Sequence, residues 1–257
     1  MITIKNKLAI AKMETAGRLL SQIFEELIDI IVPGISTATI DAWIEQRISE
    51  LGMISMMKGY NGYRHVSCIS LNDEIVHGVP KRSRLIANGD VVKVDVCVSW
   101  KGYGADMARC FPVGSISRDA LDLIAVAQEA LDAGIEQACV GNRVSDISAA
   151  IQKTVERHDY GVIRVFAGHG IGKRMHEDPE ILNYGRPGEG AVLRHGMTLA
   201  LEPMIAQKSY DVRVDSDGWT ARTADGGLAA HVEDTVLVTD RGPQILTRPH
   251  SRGAKVR

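Results

Sequence analysis

The chain has 257 residues, of which 45% are hydrophobic and 24% charged, and its formal net charge is −2. This composition is typical of a globular protein with a sizeable core, and so small a charge provides no general attraction for nucleic acid. Neither a run of about 18 apolar residues nor an uninterrupted apolar leader occurs, so we expect no membrane span and a cytoplasmic location. The four cysteines form no Cys-x-x-Cys pair, which argues against a zinc ribbon and favours free thiols.

The first half of the chain predicts two helices followed by a hairpin. Apolar residues recur at helical spacing over 10–31 and stop before Pro33, and a second helix follows Ser36. Two strands, over 91–99 and about 104–113, are then joined by a tight turn. The predicted order is therefore helix, helix, strand, strand.

The second half of the sequence repeats the first. It predicts helices over about 118–138 and about 145–157, followed by β-like segments. Four pairs of residues recur in the same order, the first three at a separation of 107 positions and the last at 99: Gly34 and Gly141, Gly89 and Gly196, Asp95 and Glu202, and His77 and His176. We predict a single domain over 1–247, a duplicated α+β unit. Its halves, about 1–114 and 115–247, form one continuous sheet with a site at a pseudo-two-fold axis.

Two aspartates of the hairpin are candidate metal ligands. Valines alternate over 92–98 and take one face of the first strand, so Asp95 lies on the other face. With the predicted turn, Asp106 opposes Cys97 and Asp95 opposes Ala108, which makes the aspartates diagonal neighbours with Cβ atoms about 7 Å or less apart. A lone strand aspartate is ordinarily a surface residue. Two that converge among apolar residues are unfavourable without something between them, which favours metal ligands.

Three residues of the second half complete a candidate two-metal site. Glu202 ends the apolar run TLALEP and Glu233 lies within LAAHVEDTVLV, where a carboxylate needs a cation or hydrogen bonds. His169 lies between glycines in FAGHGIG, which leave its ring unobstructed. Four carboxylates and one imidazole suit two divalent ions about 3.5–4 Å apart, with two of the carboxylates bridging them. These ligands accept Mn, Fe, Co or Zn, and the sequence does not distinguish among them.

The motifs NDEIVHGVP, VVKVDV, GYGAD, GHGIG, MHEDPE, LEPM and HVEDT resemble, in order and spacing, those of the type I methionine aminopeptidases, which remove initiator methionine from new proteins. The resemblance covers essentially the whole chain. It implies the pita-bread fold, an α+β duplication with an antiparallel sheet and helices on its outer face. The residues implied to bind two metal ions are Asp95, Asp106, His169, Glu202 and Glu233.

The resemblance also assigns catalytic roles. Asp106 and Glu233 would bridge the two ions, and Glu202 would shuttle a proton. His77 and His176 would contact the amide and the carbonyl of the substrate, whose second residue would be small. The reaction implied is peptide hydrolysis by a water that both ions activate.

A methionine pocket is implied by the same resemblance, with four residues: Tyr60, Tyr63, Cys68 and Trp219. Aromatic rings and a thiol suit a thioether side chain, although ordinary core packing explains such residues about as well. Met57 and Met175 stand where many relatives carry Cys and Phe, and Cys97 replaces the usual Thr. We expect these differences to change the shape of the pocket and to make it more oxidisable, but not to change the chemistry.

Other interpretations predict different sequence features. Aminopeptidase P and prolidase share the fold and the ligands but carry a large N-terminal domain, whereas the first candidate ligand here is already Asp95. A type II methionine aminopeptidase would need an insertion between His169 and Glu202, which are only 33 positions apart. A binding module that had lost its metals would lack at least one ligand. A dinucleotide or phosphate site over 168–172 is a weaker alternative, because the spacing is GxGxG rather than GxGxxG.

The C-terminal segment 248–257 is basic, and no acidic residue follows Asp240. Its cationic residues are Arg248, Arg252, Lys255 and Arg257. The simpler interpretation is a disordered, solvated tail. The more specific interpretation is a weak electrostatic association with the ribosome, where nascent chains emerge. We otherwise expect a monomer that acts on the N-terminal methionine of nascent peptides and binds neither a membrane nor a specific nucleic acid.

Overall fold

The computed structural model describes residues 1–248, which form four α-helices, fifteen strands and a short 3₁₀ helix at Tyr60–Gly62. The helices are α1 (Lys7–Ile30), α2 (Thr37–Glu50), α3 (Arg118–Glu136) and α4 (Val144–Glu156). The strands of the first half are β1 (Ile54–Ser55), β2 (Cys68–Leu71), β3 (Glu74–Val76), β4 (Val91–Trp100) and β5 (Tyr103–Pro112). Those of the second half are β6 (Gly161–Val162), β7 (Ala167–Gly170), β8 (Glu177–Leu182), β9 (Thr198–Leu201), β10 (Met204–Ala206), β11 (Val212–Val214), β12 (Ala221–Thr223), β13 (Ala229–His231), β14 (Glu233–Thr239) and β15 (Gly242–Ile245).

The four predicted helices are all present. The side chains of Asn6, Ser36 and Ser117 accept hydrogen bonds from backbone N–H groups three residues further on, at 2.9, 3.1 and 3.1 Å, and so satisfy donors that the first turn leaves free. The Asn6 cap explains why α1 begins at Lys7, three residues before the predicted start. Across the described part of the chain, no helix has the length and hydropathy that crossing a bilayer requires.

Nine strands form one antiparallel sheet in the order β1-β4-β5-β14-β9-β7-β8, with β2 also paired to β4 and β15 to β14. In the β4–β5 hairpin, Asp95 opposes Ala108 and Cys97 opposes Asp106, as predicted. The two halves of the chain meet where β5 pairs with β14, with Glu233 opposite Ala108. We call this pairing the central seam. It makes the sheet continuous across both halves.

The 107-residue repeat is visible in the backbone. The N–H of Gly34 donates to the carbonyl of Ile86 at 2.8 Å, and the N–H of Gly141 donates to the carbonyl of Leu193 at 3.1 Å. Both glycines have a positive φ, 91° and 95°, which residues with a Cβ rarely adopt. The predicted α+β duplication is therefore confirmed.

The helices cover one face of the sheet. Leu20 and Leu27 of α1 and Ile44 of α2 pack in the core of the first half, and α3 and α4 pack in the core of the second. Each fully buried aliphatic side chain stabilises the fold by about 1.5–3 kcal/mol. The β4 residues of the first core are Val92, Val94, Val96 and Val98. Because side chains alternate along a strand, Asp95 and Cys97 face the opposite side of the sheet, where the candidate site lies.

Two three-stranded sheets flank this site, in the orders β13-β10-β6 and β11-β12-β3. The first places His231 opposite Met204. The second joins the halves of the chain, because Ala221 of β12 pairs with Val76 of β3. The sequence predicts β-like segments in the second half but no strand at β3, and it predicts one continuous sheet rather than one large and two small sheets.

Arg248, the first residue of the predicted basic tail, is paired in the structure. Its Nε donates to Asp234 Oδ2 at 2.7 Å, and its terminal nitrogen donates to Asp132 Oδ1 at 2.6 Å. Asp234 is fully buried and also accepts from Arg109 at 2.6 Å. Arg248 therefore holds the end of the described chain against the strand that begins with Glu233. The remaining tail, 249–257, lies outside the described residues.

Candidate active site

A cavity of about 370 Å³ lies on the face of the sheet opposite the helices. The eleven residues that the sequence analysis singled out all line it: Tyr60, Tyr63, Cys68, His77, Asp95, Asp106, His169, His176, Glu202, Trp219 and Glu233. Met57, Cys97 and Met175 line it as well. The fold thus brings residues from most of the length of the chain together at one cavity.

The five candidate ligands come from both halves of the chain. Asp95 lies on β4 and Asp106 on β5, whereas His169 lies on β7, Glu202 directly follows β9 and Glu233 begins β14. Asp106 and Glu233, the predicted bridging residues, therefore stand on the two strands of the central seam.

The four carboxylates are buried together, which disfavours their ionisation. Burial, reinforced by the neighbouring acids, raises the pKa of Asp95, Glu202 and Glu233 well above the usual range, and burial raises the pKa of Asp106 to about 6. Glu233 Oε1 is buried without a hydrogen-bond partner. Ligand atoms of Asp106, His169 and Glu233 lie within 4.8 Å of one another. This donor set fits divalent cations, which compensate carboxylates for the loss of water.

His169 presents a free ring nitrogen to these acids. Its Nδ1–H donates to the carbonyl of Gly170 at 2.9 Å, so Nε2 carries the lone pair. Nε2 lies 3.5 Å from Glu202 Oε1. Burial lowers the pKa of His169 to about 4, so the ring is neutral near pH 7. A neutral imidazole fixed by a carbonyl on its other nitrogen is the usual form of a metal-ligating histidine.

His231 is a residue of the cavity that the sequence analysis did not single out. It is 1% exposed, and burial lowers its pKa to about 3. Its Nε2 lies 3.7 Å from Glu202 Oε2 and has no hydrogen-bond partner. The sequence does contain a sign of its position: His231 precedes Glu233 by two residues, and in an extended chain two such side chains lie on the same face.

His77 and His176 lie at the cavity outside the ligand groups. Within residues 1–248, neither is among the acids and histidines whose atoms converge within 4.8 Å. His176 Nδ1 is hydrogen-bonded to the Tyr60 hydroxyl at 2.8 Å, and its ring packs against His169 with centroids 4.4 Å apart. His77 has a φ of 60°, and its ring packs against Phe166 with centroids 5.2 Å apart. Burial lowers the pKa of both histidines, so both are neutral near pH 7.

Aromatic and sulfur-containing side chains form one wall of the cavity. The rings of Tyr63 and Trp219 pack edge to face with centroids 4.9 Å apart. The Tyr63 hydroxyl donates to the carbonyl of Ser67 at 2.9 Å, so the ring rather than the hydroxyl is free to contact a ligand. Cys68 and Met175 are buried on the same wall. Such a surface suits a flexible, polarizable side chain.

Asp41 of α2 fixes the segment that carries this wall. Its Oδ1 accepts hydrogen bonds from the backbone N–H groups of Val66 and Ser67 at 3.1 and 3.0 Å, and from the Ser67 hydroxyl at 2.8 Å. Its Oδ2 is bonded to His65 Nδ1 at 2.9 Å. The carboxylate thereby sets the position of Ser67, to which Tyr63 is bonded.

The N-terminal segment fixes the loop that carries His176. Lys5 Nζ donates to Glu177 Oε2 at 2.8 Å, and both side chains are 5% exposed. Glu177 Oε1 accepts from the backbone N–H of Arg174 at 3.2 Å. Burial alone would raise the pKa of Glu177, but the hydrogen bonds from Lys5 and its neighbours hold it at about 2, so the carboxylate stays ionised. The ion pair therefore anchors the residue next to His176.

Similarity to known proteins identifies the family of this chain. A family model described as metallopeptidase family M24 matches residues 11–240. A methionine aminopeptidase of Clostridium acetobutylicum is 46% identical over 247 residues, which cover 96% of this chain and 99% of the relative. The chain belongs to the methionine aminopeptidases of metallopeptidase family M24. This M24 member is accordingly a metal-dependent peptide hydrolase, and the resemblance drawn from its motifs is confirmed.

Solved structures place the fold in the same family. The crystal structure of methionine aminopeptidase from Thermotoga maritima superimposes with a TM-score of 0.95 at 41% identity and covers 97% of this chain and 100% of its own. The prolidase from Pyrococcus furiosus superimposes with a TM-score of 0.75 at 23% identity, and the match covers 66% of that chain. The M24 methionine aminopeptidase described here thus shares its fold with this prolidase.

Proposed function

We propose that this protein removes the N-terminal methionine from nascent peptides whose second residue is small. The observation that carries the proposal is the shared cavity, which joins five candidate metal ligands and two neutral histidines to a wall of aromatic and sulfur-containing side chains. Relatives at 46% and 43% identity, from Clostridium acetobutylicum and Bacillus subtilis, are named methionine aminopeptidases.

The proposed metal centre would hold two divalent ions, and Asp106 and Glu233 would serve both of them, as the resemblance implies. The ions supply, when bound, a water that ionises near neutral pH and a positive charge that holds the free amine of the substrate. The residues that hold them are Asp95, Asp106, His169, Glu202 and Glu233. Mn, Fe, Co and Zn all suit these donors.

Glu202 moves the proton in this proposal. Its burial beside three other acids raises its pKa, which favours uptake of a proton from the attacking water. The same carboxyl group then returns the proton to the departing amine, so that it ends the cycle as it began.

His176 and His77 hold the scissile peptide. The Tyr60 hydroxyl is hydrogen-bonded to His176 Nδ1. In this proposal the hydroxyl is the donor, so that Nε2–H of His176 donates to the carbonyl oxygen as negative charge develops there. His77 orients the amide, since its ring is fixed by Phe166 and its backbone by the adjoining strand β3.

Peptide hydrolysis after chelation and metal add-back tests this function. We expect the metal-depleted protein to be inactive and metal add-back to restore the release of methionine from Met-Ala-Ser. Mn, Fe, Co and Zn are each added back in a separate assay. Met-Leu-Ser is the control for the second residue, and Ala-Pro-Ala is the control for prolidase-type activity. Cleavage of Ala-Pro-Ala with Met-Ala-Ser left intact would overturn the assignment.

We also propose that the protein works as a monomer in the cytoplasm and that residues 249–257 attract it weakly to ribosomal RNA. The motivating observation is the run of cations without an acid after Asp240. Deletion of 249–257 should leave Met-Ala-Ser turnover unchanged and reduce co-sedimentation with ribosomes at low salt. Arg248 must be kept in this variant, because it is bonded to Asp234. Equal co-sedimentation of the full-length and shortened proteins across a salt series would contradict the proposal.

A further inference from the structure

His231 belongs to the cavity but has no role in the reaction described above. It is the last residue of β13, and it is 1% exposed. Its backbone pairs with Met204, which lines the same cavity. Because side chains alternate along an extended chain, His231 and Glu233 point the same way, toward the cavity that both line.

Glu202 lies between two imidazoles. Its Oε1 is 3.5 Å from His169 Nε2, and its Oε2 is 3.7 Å from His231 Nε2. Both separations exceed the distance of an ordinary N–H···O hydrogen bond. The geometry around His231 therefore matches the geometry around His169, a candidate ligand, on the other oxygen of the same carboxylate.

Two buried polar atoms near His231 lack a partner. They are Nε2 of His231 itself and Oε1 of Glu233. Buried polar atoms are almost always satisfied in native proteins, so an unpartnered nitrogen and an unpartnered carboxylate oxygen in one cavity indicate a missing ligand. Ligand atoms of Glu202, His231 and Glu233 all lie within 4.8 Å of one another. A divalent cation satisfies an imidazole nitrogen and two carboxylates at the same time.

We propose that His231 Nε2 is a sixth protein ligand of the metal centre, and that it binds an ion together with Glu202 and Glu233. The proposal rests on the two-metal site of the proposed function. His169 then serves one ion and His231 the other, with Glu202 between the two imidazoles. Each ion thereby gains a nitrogen ligand in a centre that otherwise holds one histidine among four acids.

Nitrogen NMR of ¹⁵N-histidine-labelled protein tests this assignment directly. The metal-depleted full chain is titrated with Zn²⁺, which is diamagnetic, and metal-bound imidazole nitrogens are counted. We expect two, one lost in His169→Gln and the other in His231→Gln. His195→Gln is the matched control, because His195 is exposed and paired with Asp240, away from the cavity. We also expect the affinity of the His231→Gln variant for one of its two zinc ions to fall by at least about 10-fold, measured by calorimetry.

The wild-type count decides the outcome even where a variant fails to fold. One metal-bound imidazole at full zinc loading, or a His231 signal that zinc does not move to the metal-bound position, would overturn the proposal and leave the two-metal site intact. Absence of any zinc binding would overturn the metal centre as a whole and His231 with it.

Discussion

Asp106→Asn is expected to abolish peptide hydrolysis and to weaken the binding of both metal ions. Asp106 lies on β5, which pairs with β14 of the other half, and it lines the cavity together with the other four candidate ligands. A bridging carboxylate serves two cations, and an amide of the same shape cannot supply its charge. Loss of one stabilising group at an active site costs about 10²–10³ in turnover, so we expect a larger loss here. Turnover of Met-Ala-Ser and calorimetric titration with Mn²⁺ measure the two effects.

Folding and function are separable in this variant. Because burial raises the pKa of Asp106 from its ordinary value to about 6, keeping this carboxylate ionised at pH 8 costs the folded, metal-free protein more than it costs the unfolded chain. A neutral amide relieves this cost, so the metal-free variant should unfold at a temperature no lower than the metal-free wild type at pH 8. Asp29→Asn, on the exposed face of α1, is the matched control. Near-normal turnover with two tightly bound ions would show that Asp106 does not bridge.

His77→Ala should lower turnover of Met-Ala-Ser by about 10²–10⁴-fold while both metal ions stay bound. His77 lies in the cavity outside the two groups of converging ligand atoms, so its loss removes the positioning of the substrate amide and not a metal ligand. Steady-state kinetics and metal content, measured on the same preparation, check both parts of this result.

A second variant is needed at His77, because its backbone conformation is one that alanine disfavours. Its φ of 60° lies in the left-handed region, which alanine adopts less readily than asparagine. His77→Asn therefore keeps the local backbone while it removes the ring, and we expect a rate loss of the same order. A metal-free His77→Asn protein would identify His77 as a ligand and contradict the division of roles.

The hairpin that carries the first two candidate ligands was predictable in detail. Its valines alternate and its turn is short, so the register that opposes Asp106 to Cys97 follows from local sequence alone. The starts of helices at Ser36 and Ser117 are likewise local, because a capping side chain bonds a backbone group three residues away. The prediction that the candidate ligands lie together rests on the duplication, because two repeated halves form a site at the axis between them.

Residues that fix the site from a distance leave no comparable trace in the sequence. Lys5 and Glu177 are 172 positions apart, and nothing near either residue predicts that they pair. The cations that follow Asp240 without an acid place Arg248 in a basic tail, whereas the fold pairs it with Asp234. A buried charge finds its partner through the tertiary fold, which periodicity and composition do not describe.

His231 illustrates the intermediate case. Strand alternation places it on the same face as Glu233, and this much follows from HVED. Whether its ring meets Glu202 depends on β10 and β13 lying side by side in one of the small sheets. The sequence therefore identifies the direction of the side chain but not its neighbours.

The central seam gives the metal ions a second effect, on the cooperativity of folding. Because Asp106 and Glu233 belong to opposite halves, an ion bound by both, as proposed above, would cross-link the halves. A ligand that binds only the folded chain stabilises it by about 2.7 kcal/mol at 100 times its dissociation constant. Loss of the metal ions would then lower the stability of the contact between the halves as well as the activity, so that we expect the inactive, metal-free protein to be the form that unfolds most readily.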